Sequence, residues 1–185
     1  MTAATANPAA EHVVATNMAS ERFFTENADA IASACQAMAQ RFQQGGRMWV
    51  CGDGAQRSDV AHVVVEFLHP VVTGKRALPA FALPEMRGGA AQRAVGTLVR
   101  SGDILLLLSA GPLDDAATDM VAEADNAGLL TLVLCGAGGE TGSHARHGFV
   151  VPSSDPCVVQ ETQELLYHIL WELVHVFFEH RVVPA

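Results

Sequence analysis

Apolar residues recur along the chain in two rhythms. From Glu11 to about Gln44 there is no proline or glycine, and Met18, Phe23, Phe24, Ile31, Met38 and Phe42 recur at helical spacing. That pattern predicts one long helix, or two with a break, ended by Gly45–Gly46. Beyond it, short apolar runs alternate with helical stretches. "RMWVCG", "LPAFALP" (Leu78–Pro84), "GDILLLLS", "LLTLVLCG" and "GFVVP" read as strands. "GDILLLLS" is apolar almost throughout, as strands of a parallel sheet are. Ser58–Val72, stopped near Pro70, and Asp114–Ala127, closed by Gly128, read as helices. Glu85–Arg100 reads as a loop with a short helix. Val158–Glu179 reads as a long amphipathic helix with "LLYHILWELVHVFF" at its centre.

The order is helix, repeated strand–helix units, then helix. It predicts an α/β fold, a three-layer sandwich in which helices flank a central parallel sheet of about five strands, with long helices at both ends. Right-handed crossovers place the loops after the strands along one edge, where such sheets bind ligands. Here that edge comprises Gly52–Ser58, the region after Leu83, Ser109–Asp114 and Gly136–Ser143. No internal repeat or low-complexity linker interrupts the 185 residues. One domain over residues 11–185 is expected, with residues 1–10 a flexible tail.

Composition narrows the function. The net charge is −9 and no Lys/Arg cluster occurs, which argues against a protein that grips nucleic-acid backbones. No apolar run approaches the roughly 20 residues that span a bilayer. "MTAATANPAAEH" has no basic segment followed by an apolar one, so no secretory signal and a cytoplasmic location are expected. Cys35, Cys51, Cys135 and Cys157 are scattered without CxxC spacing and read as small buried thiols in a reducing compartment.

The stretch "CGDGAQRSDVAHVVVEF" holds the candidate chemistry. Gly52 and Gly54 permit a tight bend ahead of a helix whose free N–H groups and dipole make a generic anion site. Asp53 would repel an anion unless it accepted backbone hydrogen bonds; Arg57 would attract one. In the later turn Ser109 leads into "AGPLDD", where Asp114 or Asp115 caps the next helix. His62 and Glu66 stand i, i+4 on one helix face. They could share a divalent metal, relay protons, or form a plain polar pair. The surrounding "VAHVVVEFL" is otherwise apolar and reads as a mostly buried helix, in which an unpartnered carboxylate is costly. His168 lies in the apolar stripe of the last helix, which by itself suggests a satisfied core histidine, and His175 follows on roughly the same face. His144 and His147 fall in a glycine-rich loop.

Taken in order, "CGDGAQRSDVAHVVVEF", "GDILLLLSAGPLDDA", "AGLLTLVLCG" and "VQETQELLYHIL" resemble the bacterial phosphoheptose isomerases, single-domain sugar-isomerase (SIS) proteins. The likeness runs from the first long helix to the last. It implies a catalytic glutamate at Glu66 and a catalytic histidine at His168. In zinc-binding members it implies ligands at His62, Glu66, Gln160 and His168. Gln160 and His168 are about 12 Å apart along a regular helix. One ion reaches both only if that helix starts irregularly or if the ligands come from different subunits. The resemblance also implies a homotetramer with sites at subunit interfaces, and a sugar derivative bound through Gly52, Asp53, Gly54, Gln56, Arg57, Ser109 and Asp114.

The phosphate grip departs from the family pattern. The family's second turn, STSGNS, reads Ser109–Ala110–Gly111–Pro112–Leu113–Asp114 here, so only its first hydroxyl survives. The serine and asparagine of its first turn, CGNGGS, are Gln56 and Asp53. Each hydrogen bond lost to a charged group is worth about 1.5–3 kcal/mol. Glu85–Arg100 also looks shorter than its family counterpart, and the acidic substrate contacts the family places there have no match. Two functions follow. One is an aldose–ketose isomerase with Glu66 as base and His168 as acid, zinc-assisted, on a sugar that lacks the usual phosphate or holds it through Arg57 or Arg87. The other is a binding module related to the tetramer that associates with the bacterial replication initiator; the presence of Glu66 and His168 argues against it, the altered turns for it.

Overall fold

In the computed structural model the described residues are 7–52, 54–86 and 89–179. Helix α1, Pro8–Gln43, is a single unbroken helix of 36 residues. It begins earlier than expected, because the Asn7 side chain accepts the Ala9 amide at 3.1 Å and Pro8 occupies the first turn, a standard N-terminal cap. Pro8–Ala10 are therefore helical, and residues 1–6 of the expected tail lie outside the described residues. The remaining elements are β1 (Met48–Gly52), α2 (Gln56–Leu68), β2 (Ala80–Ala82), α3 (Ala90–Leu98), β3 (Ile104–Leu108), α4 (Asp115–Asn126), β4 (Leu130–Cys135), β5 (His147–Val150) and α5 (Pro156–Glu179).

The five strands form one parallel sheet in the order β2-β1-β3-β4-β5. Alternate strand residues face opposite layers. Met48, Val50, Leu106, Leu132 and Phe149 pack with α1, α2 and α5; Trp49, Cys51, Leu105, Leu107 and Val133 pack with α3 and α4. This is the expected three-layer sandwich. The chain leaves β1 toward β2 on one side and β3 toward β4 on the other. The crevice between the ends of β1 and β3 is thus the topological switch point. Gly52 is required there, since a Cβ would lie 2.9 Å from the Leu108 carbonyl oxygen.

Two sequence expectations change. Helix α2 is not enclosed: Val65 is exposed, and His62 and Glu66 are only partly buried. Cys157 is exposed, whereas Cys35, Cys51 and Cys135 are buried; burial pushes the Cys35 thiol up to about 12 and that of Cys135 to about 11. Among the described residues no helix is long and apolar enough to cross a membrane.

The edge of the sheet remote from the switch point is tied by Asp103. Its carboxylate accepts from the Arg47 amide (3.0 Å), Arg47 Nη2 (2.7 Å), Trp49 Nε1 (2.9 Å) and the Arg100 amide (3.1 Å). Burial raises its pKa, but the hydrogen bonds from Arg47, Trp49 and Arg100 outweigh that and hold it below the usual carboxylate range. A depressed folded pKa stabilises fully above the unfolded value, near 3.9, and the stabilisation disappears as pH falls through the folded value. Asp103→Asn is expected to lower urea stability by about 3 kcal/mol at pH 7, with the gap closing below about pH 4.

Candidate functional site

Helices α2 and α5 pack side by side on one face of the sheet. Asp59, His62 and Glu66 follow i, i+3, i+7 along α2, and Gln160, Glu164, Tyr167 and His168 follow a corresponding stripe on α5. The two stripes meet. His62 Nε2 lies 3.4 Å from Glu66 Oε1 and 3.4 Å from His168 Nε2. One ligand atom from each of His62, Glu66 and His168 can be chosen so that all lie within 4.8 Å of one another. The imidazole rings meet edge to face, with centroids 5.1 Å apart. His168 therefore lies with His62 and Glu66 rather than in the core. His175 is the core histidine, buried with its ring nitrogens 2.8 Å from the Trp171 carbonyl oxygen and 2.9 Å from that of Arg76.

These three donors suit zinc. Imidazole and carboxylate are its preferred nitrogen and oxygen ligands, and bonds of about 2.1 Å in a tetrahedron place ligand atoms about 3.4 Å apart. Both distances from His62 Nε2 match that edge.

Behind His62 runs a line of hydrogen bonds. Tyr167 Oη lies 3.0 Å from His62 Nδ1 and 3.3 Å from Asp59 Oδ1. Gln160 Nε2 donates to Asp59 Oδ2 at 2.8 Å. Asp59 and Tyr167 are buried. Burial pushes the Asp59 carboxyl up, offset in part by the hydrogen bonds from Gln160 and Tyr167. Burial, with the nearby Asp59 and Glu164 carboxylates, pushes the Tyr167 phenol up, so its hydroxyl keeps its proton. The structure thus brings His62, Glu66 and His168 together, while Gln160, expected beside them, has its amide on Asp59. Sequence reasoning missed Asp59 and Tyr167. The available signal was spacing: Asp59 is three residues before His62 on an apolar face, and Tyr167 is two turns beyond Gln160.

The expected anion turns are only partly engaged, and α2 begins with no side-chain cap. Gly54 has a φ of +61°, as a tight turn needs. Arg57 is ion-paired with Glu85. Gln56 is buried and its Nε2 has no hydrogen-bond partner. Ser109 Oγ donates to the Gly111 carbonyl at 3.0 Å. Asp114, not Asp115, caps α4, accepting the Ala117 amide at 2.8 Å. Asp53 and Arg87 lie outside the described residues.

Residues 12–136 match the SIS domain family model. The phosphoheptose isomerase of Thermodesulfovibrio yellowstonii is 30% identical over 179 aligned residues, covering 89% of this chain and 88% of its own. Two solved structures share the fold: a phosphoheptose isomerase from Francisella tularensis (TM-score 0.74, 20% identity, 93% of this chain and 98% of that one) and one from Neisseria gonorrhoeae (TM-score 0.74, 20% identity, 90% and 96%).

A carboxylate that fills the α4 cap opposes a phosphate at the same turn. Asp114→Ser keeps a good cap and removes the charge. Calorimetric titration is expected to show sugar-phosphate affinity rising roughly tenfold, ~1.4 kcal/mol, with little change in melting temperature; Asp114→Ala is expected to cost about 1 kcal/mol of stability.

Proposed function

Because the chain belongs to the SIS-domain family, we propose that it is an aldose–ketose isomerase of the phosphoheptose isomerase type, acting on a sugar derivative whose recognition does not depend on a phosphate dianion. The convergence of Glu66 and His168 from two helices, beside His62, is the observation that carries this reading. Isomerisation needs a base for the proton next to the carbonyl and an acid for the oxygen of the resulting enediolate. Glu66, a partly exposed carboxylate, takes the carbon-bound proton and returns it to the neighbouring carbon, while His168 protonates the carbonyl oxygen and takes the proton from the other oxygen of the enediol. His62, Glu66 and His168 would hold a zinc ion, whose chemistry when bound is to polarise the substrate oxygens. A Glu66 oxygen serving as ligand is not at that instant the base. The phosphate-independent half of the reading is supported by Ser109 turned into its own loop, Asp114 spent as a cap and Arg57 paired with Glu85.

A second reading, a binding module that has lost turnover, is favoured by the same turn and opposed by the intact trio. The two separate in solution. The isomerase is expected to exchange substrate hydrogen with deuterated solvent, with Glu66→Gln and His168→Ala each lowering that rate at least ~100-fold. Near-stoichiometric zinc on elemental analysis is expected to fall in both variants. Full activity restricted to phosphorylated heptoses would overturn the substrate half. No exchange with any heptose or pentose, and no zinc, would leave the binding module. Val65 and Leu165 are exposed on the two site helices. A homotetramer covering such apolar positions is expected by size-exclusion chromatography with light scattering.

A further inference from the structure

The two ring nitrogens of His62 meet different surroundings. Nε2 faces Glu66 Oε1 and His168 Nε2, each 3.4 Å away. Nδ1 faces the Tyr167 hydroxyl at 3.0 Å; Glu164 Oε1, 3.8 Å from the same nitrogen, is beyond hydrogen-bond reach. A neutral imidazole carries one N–H, and which nitrogen holds it is set by the partners.

The Tyr167 hydroxyl has one proton and two neighbours, His62 Nδ1 and Asp59 Oδ1. A carboxylate is acceptor-only, and Oδ2 of Asp59 already receives the Gln160 amide proton at 2.8 Å. Donation from a phenol to a carboxylate is charge-assisted, whereas donation to a neutral imidazole is not. The phenol proton therefore goes to Asp59. Its oxygen is left as an acceptor toward His62, and only an N–H at Nδ1 satisfies it. Among the described groups, no other lies within hydrogen-bond distance of Nδ1.

We propose that Tyr167, backed by Asp59, fixes His62 as the Nδ1–H tautomer and so turns the Nε2 lone pair toward Glu66 and His168. Tyr167 is then a positioning residue for the ligand face of the site, and the Gln160 Nε2–H steadies Asp59. His168 donates its own Nε2–H to that lone pair in the metal-free protein, or both lone pairs meet one cation. The use of the tautomer rests on the metal reading above; the tautomer itself does not, because it follows from the hydrogen bond at Nδ1, the approach of Nε2 to Glu66 being an ion-pair contact rather than an aligned hydrogen bond.

Long-range 1H–15N correlation on 15N-labelled, metal-free protein at about pH 8.5, where imidazoles are neutral, reads the tautomer directly, with His62 assigned by His62→Gln. The expected spectrum has a protonated Nδ1 and a bare Nε2. Tyr167→Phe is expected to move His62 to the Nε2–H form or a mixture. It should also weaken zinc binding, measured against a competing chelator, on the order of 10–100-fold. Glu164→Gln should leave both readouts unchanged. If Tyr167→Phe does not fold, Asp59→Ala carries the same expectation, since the phenol then turns its proton onto Nδ1. An Nε2–H spectrum in the wild type, or a Tyr167→Phe protein with unaltered tautomer and zinc affinity, overturns the proposal. A wild type that shows the Nδ1–H tautomer but binds no zinc upholds the proposal and defeats the metal reading instead.

Discussion

A buried carboxylate must find hydrogen-bond donors, and Asp59 of α2 finds its side-chain donors on α5. Gln160 and Tyr167 stand seven residues apart, two turns along that helix, and each supplies one oxygen of Asp59. Sliding α5 by one turn would break both bonds and strand the charge, at a cost of about 1–3 kcal/mol or more. The apolar packing of α2 and α5 against the sheet tolerates small slips; this polar clamp does not. Because the register is held there, His168 arrives opposite His62 and Glu66.

The layers were legible because they follow from local pattern. Apolar runs punctuated by glycine gave the five parallel strands, and the long helices at both ends appear where periodicity put them. The errors lie at element ends: an Asn7 cap with Pro8 starts α1 ahead of Glu11, and α2 opens at Gln56 rather than Ser58, without a side-chain cap. The enclosure expected for α2 failed because periodicity reports apolar residues, not what covers them, and Val65 is bare in the single chain.

The site was legible only in part. His62 with Glu66 is a within-helix spacing that any sequence reading can detect. His168 entered through family resemblance, since its apolar neighbours alone suggested a core residue; the structure gives that part to His175. Asp59 and Tyr167 are 108 residues apart, and no periodicity connects them. Gln160, eight residues before His168, spends its Nε2–H on Asp59.

The trio occupies the flank of two helices, whereas the altered anion turns sit at the ends of β1 and β3. The trio depends on the α2–α5 clamp, the turns on Gly52, on Ser109 and on the α4 cap, and the two meet where Gln163 of α5 donates to the Ser109 carbonyl at 2.8 Å. That link runs through the Ser109 backbone carbonyl, so side chains on the turns can change without breaking it. A lineage can edit a few loop side chains after β1 and β3 while the α2–α5 register stays intact, and a protein engineer inherits the same freedom.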